Sequence, residues 1–290
     1  MGMMRMRRRN LLQSVPALLV SPACARAPAE GAIAAYERAT GGRVGVFARN
    51  IASGKSFAWR QDERFVMCST FKASLAACVL ARVDRGDADL DEVIAFTAAD
   101  IGEMYAPVAK ENLGRGAMSV REMCAGAVEF SDNVCANKLL IRIGGPAALT
   151  RFWRAMGDDV TRLDDIEPFL NRTPMGGVRN TTTPMAMAGV VRRLVLGDVL
   201  SEGSRATLKT WMVNCQTGKN RLRAGLPGQW VVGDKTGNNG KDAAGDIAIA
   251  WPGVGGPIVM AVYTRGGTPN DAQFAALFAG IGRHVAATLS

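Results

Sequence analysis

The stretch Phe65-Val-Met-Cys-Ser-Thr-Phe-Lys72 marks where one pattern in the chain gives way to another. Before it, two short alternating runs at 43–49 and 55–60 flank Ala52-Ser-Gly54, a β-hairpin signal. From Ser69 onward, Leu75, Ala76, Ala77, Val79 and Leu80 recur at helical spacing until Gly86. The spacing predicts a buried helix with Ser69 at its N-terminus. Ser69 and Lys72 are three residues apart, so a helix turns both side chains the same way. A lysine amine whose pKa is lowered by burial can take a proton from a serine hydroxyl. Backbone N–H groups at the helix start can stabilise an oxyanion.

Helices continue outward from there. Ser119-Val-Arg-Glu122 is a capping box that opens a helix toward Phe130. A periodic run at 132–143 stops at Gly144-Gly145, and Pro146 suits the first position of a helix ending by Gly157. Residues 161–180 lack periodicity and hold Pro168, Pro174 and Gly176-Gly177. A loop of that length inside a compact domain is usually functional. Thr183-Pro184 opens a helix that ends near Gly197, and another covers 201–212. Strands rich in Val and Ile return at 229–236, 245–251 and 257–264, and a helix covers 271–289. A first helix, 29–40, stops at Gly41-Gly42. The pattern predicts an α/β fold of the α+β type, one five-stranded antiparallel sheet built from both ends of the chain and flanked by terminal helices. The sheet domain takes residues 28–63 and 213–290, and an all-helical domain of 64–212 is inserted into it. Ligand sites favour such junctions.

Residues 1–27 read as an export leader. Arg5, Arg7, Arg8 and Arg9 precede a short apolar stretch from Val15 to Val20, with small-residue cleavage sites at Ala23-Cys-Ala25 or Ala25-Arg-Ala27. Arg8-Arg9-Asn-Leu-Leu-Gln13 fits a twin-arginine signal, and an ordinary secretory leader fits as well; either predicts a periplasmic protein. Cys24 raises lipid attachment, but Ser21-Pro-Ala precedes it where an apolar residue is expected. Nothing resembles a membrane span. The formal charge of +9 falls to +5 once residues 1–25, with four arginines, are removed, and the remaining basic residues are scattered. Nucleic-acid binding needs a stripe or run, so it is not expected. The five cysteines outside the leader, with no C-x-x-C spacing, predict free buried thiols rather than a disulfide framework or zinc site. His284 is the only histidine, so a nucleophilic serine here is expected to use a lysine or a carboxylate as its base.

Ser131-Asp-Asn133 lies between two helices, Lys235-Thr-Gly237 closes a strand, and Glu167 and Asn171 sit in the long loop. Gly237 lets a ligand approach the strand edge. Taken in order, these S-x-x-K, S-D-N, E-x-x-x-N and K-T-G elements resemble the class A serine β-lactamases. The similarity extends over about residues 30–288 and includes Glu63-Arg-Phe, Tyr105-Ala-Pro-Val, Val120-Arg-Glu-Met-Cys, Arg162-Leu-Asp and Thr181-Thr-Thr-Pro. The resemblance implies hydrolysis of β-lactams without metal or cofactor, by a protein that is a monomer by family default. It makes Ser69 the nucleophile, Lys72 and Glu167 the candidates for its activation, and Ser131 the proton relay to the leaving nitrogen. Glu167 with Asn171 would hold the hydrolytic water. Lys235 and Thr236 would bind the substrate carboxylate, Asn133 the side-chain amide, and Tyr105 would wall the cleft. The N–H groups of Ser69 and Asn238 would form the oxyanion hole.

Three positions depart from the family pattern. Ala244 stands where many members place a carboxylate-binding arginine, and Arg221 matches the substitute position of another subset. The Arg–Asp bridge across the neck of the long loop is replaced by Asp165 and Asn180, which predicts a more mobile loop with a less firmly held Glu167, Asp165 pairing instead with Arg179. Cys68 lacks its carbapenemase-type partner because position 239 is Asn, and Cys124 faces Ala76 where a second subset has its partner; Cys78 lies two residues off. No family-type disulfide is expected. Two other readings share the motifs: a D-alanyl-D-alanine peptidase or penicillin-binding protein, and a β-lactam sensor that acylates without turning over. Glu167-Pro-Phe-Leu-Asn171 argues against the peptidase.

Overall fold

The computed structural model of the chain describes residues 1–2 and 28–290; the leader and Cys24 lie outside the described residues. Helix α1 (Pro28–Thr40) leads into strands β1 (Arg43–Asn50) and β2 (Ser56–Trp59). Strands β3 (Val231–Asn238), β4 (Ala244–Trp251) and β5 (Ile258–Arg265) come from the other end of the chain. All neighbours are antiparallel, in the order β2-β1-β5-β4-β3. This is the five-stranded sheet expected from the sequence, and the closing helix α8 (Asp271–Leu289) packs beside α1.

Strand β4 is buried almost end to end, because both faces of the sheet are covered. Side chains alternate between the faces. Ala248, Met260 and Val262 pack against Ile33, Phe278 and Ile281 of the terminal helices. Ile247, Ile249, Val259, Ala261 and Tyr263 join a larger core with Phe71, Leu75, Met123, Leu139 and Trp153. Each large apolar side chain so buried contributes roughly 1.5–3 kcal/mol.

The larger core is built on α2 (Phe71–Asp84), where every residue from Phe71 to Ala81 is buried. A helix apolar all round belongs inside a protein. Around it lie α3 (Val120–Glu129), α4 (Asn133–Ile143), α5 (Pro146–Ala155), α6 (Pro184–Leu196) and α7 (Glu202–Val213). The Ser119–Glu122 capping box forms as expected, and Asp132, Thr183 and Ser201 cap α4, α6 and α7. This region also holds elements the sequence pattern did not show. Val93–Ala95 pairs with Ala117–Ser119, and Phe65–Val66 pairs with Thr181–Thr182. Strands of two or three residues are too short to display a period.

Candidate active site

Ser69 sits in a single 3₁₀ turn, Cys68–Thr70, which precedes α2 rather than forming its first α-helical turn. Cys68 enters the turn with φ 45°, a left-handed conformation uncommon for a non-glycine residue. Such strain tends to gather at working sites. The end of β3 passes directly over the turn. A Cβ on Gly237 would lie 2.8 Å from the Met67 carbonyl oxygen and 3.0 Å from the Ser69 nitrogen, so only glycine allows this approach.

Three elements converge on the serine. Ser69 Oγ donates to Glu167 Oε1 at 3.0 Å. Lys72 Nζ stands 3.2 Å from the same oxygen and donates to the Ser131 carbonyl at 2.9 Å and Asn133 Oδ1 at 2.5 Å. These acceptors match the three donors of an ammonium group. Burial pushes the Lys72 amine pKa down, and the Glu167 charge pulls it back up. Glu167 is buried, and its position is fixed from two directions. Asn171 Nδ2 donates to its Oε2 at 2.8 Å, while Asn137 on α4 accepts from the Glu167 N–H and donates to its carbonyl, both at 3.0 Å.

Ser131 occupies the link between α3 and α4 with φ 61°. Lys235 Nζ, fully buried, donates to Ser131 Oγ at 3.0 Å and to the Thr236 carbonyl at 2.7 Å. Burial brings the Lys235 pKa down to about 8, with nearby Lys72 acting in the same direction. Thr236 Oγ1 is 2.6 Å from Thr217 Oγ1. Arg221 stacks over the rings of Phe278 and Phe274 at 4.8 and 5.4 Å, and its buried Nη1 has no partner among the described residues. Ala244 is buried on β4, where it pairs with Thr264 of the neighbouring β5. Below the strand, Asp234 pairs with Arg223 at 3.0 Å, and burial together with the Asp234 charge drives the Asp246 carboxyl pKa well up.

These groups open on one cavity of about 590 Å³, which Ser69, Tyr105, Asn133, Asn171, Arg221, Gly237 and Asn238 all line. Tyr105 is exposed at its rim. A larger hollow of about 930 Å³, between β1, α6 and residues 157–160, is edged by solvated arginines and aspartates and holds no nucleophile. Every candidate residue read from the sequence therefore falls in or beside one site. Asn137 and Thr217 were missed. Each is a lone polar residue without a motif, and only the folded geometry shows what it holds.

The neck of the long loop departs from expectation. Arg179 does pair with Asp165, at 2.8 Å, but the carboxamide of Asn180 carries the neck. Its Oδ1 accepts from the N–H groups of Asp164 and Asp165 at 2.8 and 3.0 Å, and its Nδ2 donates to Asp165 Oδ2 at 2.8 Å and Thr173 Oγ1 at 3.2 Å. Asn180 thus supplies hydrogen bonds across the neck where the charged bridge is lost: an amide both donates and accepts, so it needs no opposite charge. Cys68, Cys78, Cys124, Cys135 and Cys215 are buried and free. Among the described residues no helix is long and apolar enough to cross a membrane.

The sequence model of the Beta-lactamase enzyme family matches residues 28–289. The chain is 45% identical to β-lactamase L2 of Stenotrophomonas maltophilia over 89% of its length and 87% of the relative's. It is 41% identical to β-lactamase FAR-1 of Nocardia farcinica, over 88% and 81%. Among solved structures it is similar to the class A β-lactamase of the last common ancestor of Gram-negative bacteria, with a TM-score of 0.86 and 48% identity over 91% of this chain and all of that one. It is likewise similar to a β-lactamase of Xanthomonas campestris pv. campestris, with a TM-score of 0.86 and 43% identity over 90% and 97%. The chain belongs to the class A β-lactamases and is a hydrolase of β-lactams.

Proposed function

We propose that the chain hydrolyses penicillins and some cephalosporins through an acyl-enzyme on Ser69, conferring resistance to them. The observation that carries this is the convergence of Ser69 Oγ and Lys72 Nζ on one oxygen of Glu167. Glu167 accepts the serine proton directly or across one water, with Lys72 holding the carboxylate in place. Ser69 Oγ attacks the lactam carbonyl, whose developing oxyanion points at the N–H groups of Ser69 and Asn238. The C–N bond breaks as Ser131, held by Lys235, passes a proton to the leaving nitrogen; the proton taken by Glu167 replaces it by way of Lys72, which leaves Glu167 ionised again. A water held by Glu167 and Asn171 then attacks the ester and Glu167 takes its proton; as the acyl C–O bond breaks, Glu167 returns that proton to Ser69 Oγ and the enzyme is restored. Lys235, Thr236 and Arg221 hold the substrate carboxylate, Asn133 its side-chain amide, and Tyr105 walls the cleft; Gly237 admits the substrate beside β3. Each step uses side chains and backbone N–H groups of the protein together with water, with neither metal nor cofactor.

The buried Glu167 supports this reading over the peptidase and sensor readings, because it supplies a base for deacylation. The protein acts as an exported, periplasmic monomer without nucleic-acid partners, its sheet domain of 28–63 and 213–290 meeting the 64–212 insertion at the cavity. Nitrocefin turnover, with intact mass recorded beside a Glu167→Ala variant, tests the mechanism. Steady turnover by the wild type and a trapped acyl-enzyme in the variant are expected. Stoichiometric acylation of both without turnover would move the protein to the sensor or peptidase reading.

A further inference from the structure

Two walls of the cavity, the long loop and the β3–β4 turn, share one anchor outside the catalytic motifs. Arg265, the last residue of β5, has a side chain only 12% exposed and lines no part of the substrate cavity. Its Nη2 donates to the Thr173 carbonyl in the loop, and its Nε lies 3.3 Å from Met175 Sδ. The same Nε lies 3.7 Å from Asp242 Oδ2 in the β3–β4 turn. Asp242 is itself fixed, because Asn239 Nδ2 donates to its Oδ1 at 2.8 Å and Asn239 Oδ1 accepts the N–H groups of residues 241, 242 and 243. The Met175 thioether also rests on Gly266, 3.7 Å from where a Cβ would stand. Arg265 thus touches the segment that carries Asn171 and the segment that carries Asn238, from behind both.

We propose that Arg265 is a positioning residue that ties these two walls together and sets the width of the cavity between Asn171 and Asn238. A guanidinium suits the task, because its planar fork reaches several acceptors at once, whereas an ammonium is a single point charge. The tie restricts bulky acyl side chains and keeps Glu167 and Asn171 in register for deacylation. A shift of about 1 Å in such positioning can cost up to about 100-fold in rate. This inference rests on the β-lactamase reading for its kinetic half only; the coupling of the walls stands or falls on structure alone.

The test compares the full-length mature protein with Arg265→Gln, Arg265→Lys and Asp242→Asn, by amide hydrogen exchange and by kinetics on benzylpenicillin and ceftazidime. In Arg265→Gln, exchange should rise about tenfold both at the bonded loop amides of Leu170, Asn171 and Gly177 and in 239–243, while α2 and the sheet are unchanged. Asp242→Asn should raise exchange at the same loop amides, although it touches no residue of that loop, and should add nothing when combined with Arg265→Gln. For benzylpenicillin, kcat should fall about tenfold with acyl-enzyme visible by intact mass, while kcat/KM for ceftazidime falls less or rises. Arg265→Lys should recover part of the penicillin kcat. Faster exchange in only one wall, or Asp242→Asn effects confined to its own turn, would overturn the proposal. A uniform loss of both activities with global loosening would also overturn it, as a merely structural role. If neither wild type nor variants turn over either substrate, the β-lactamase reading fails, and the exchange data alone decide the coupling.

Discussion

Ser69 Oγ and Glu167 Oε1 are hydrogen-bonded at 3.0 Å, although 98 residues separate them in the chain. The bond joins the start of α2 to a loop held in place by Asn137, Asn171 and Asn180, so nucleophile and base are positioned by independent elements. Replacing Glu167 by Gln keeps its shape but removes its basicity. We expect kcat on benzylpenicillin to fall by about 100- to 10,000-fold, the range of a lost general base. Intact mass during turnover should show the protein mostly as the acyl-enzyme. A variant that stays unacylated and slow would assign Glu167 to acylation; one that turns over normally would remove it from the mechanism.

The buried Lys235 amine, brought down to about 8, predicts a pH dependence. Below that pH the amine is charged and can hold a substrate carboxylate; above it the charge is lost. kcat/KM should therefore fall as pH rises through about 8, because this parameter reports groups in the free enzyme. Arginine at the same position stays charged throughout, so Lys235→Arg should move the fall to higher pH even if its absolute rate is lower. A flat wild-type profile between pH 7 and 9.5 would exclude a titrating Lys235.

Much of this was legible in the chain. Strand alternation and helix starts such as Ser119–Glu122 and Thr183-Pro184 are local signals, and they placed the main elements within a residue or two. The motif residues were legible for a similar reason, since fixed spacings on short segments survive without knowledge of the fold. What was not legible depends on contacts between distant segments. Nothing near Asn137 says that its amide will grip Glu167, and nothing near Asn180 says that a carboxamide can replace a charged bridge. The short pairing of Phe65–Val66 with Thr181–Thr182 closes the neck of the loop across 116 residues, and two-residue strands carry no periodicity. The 3₁₀ turn at Ser69 is of the same kind, imposed by β3 passing over it at Gly237.

Arg221 stacks on Phe274 and Phe278 and leaves a buried N–H without a partner among the described residues, at the edge of the cavity. A substrate carboxylate would satisfy that donor. Hydrogen bonds to charged groups contribute about 1.5–3 kcal/mol, so Arg221→Ala should raise KM for benzylpenicillin roughly 10- to 100-fold with a smaller change in kcat. Lysine cannot both stack and donate in a planar fork, so Arg221→Lys should recover little of the loss. An unchanged KM in Arg221→Ala would leave carboxylate binding to Lys235 and Thr236 alone.

Asn180 yields the sharpest test of how the loop is held. Its amide donates to Asp165 Oδ2 at 2.8 Å, so an aspartate at position 180 would set two carboxylates against each other. Its φ of 54° is tolerated by Asn and Asp alike, so backbone strain does not confuse the comparison. Asn180→Asp should destabilise the neck, speed amide exchange over 162–167 and lower kcat as Glu167 loses its register. Adding Asp165→Arg places an opposite charge across the same gap and should restore both exchange and kcat toward the wild type. In the unaltered protein, amides of residues 162–165, 167 and 180 are bonded and should exchange slowly. In the loop tip, 173–179, Gly177 is the one bonded amide, to the Pro174 carbonyl, and the other amides there should exchange fast. Fast exchange through the whole of 161–180 in the wild type would show that the Asn180 network does not hold the neck, and the double variant would then gain over the native protein rather than merely recover.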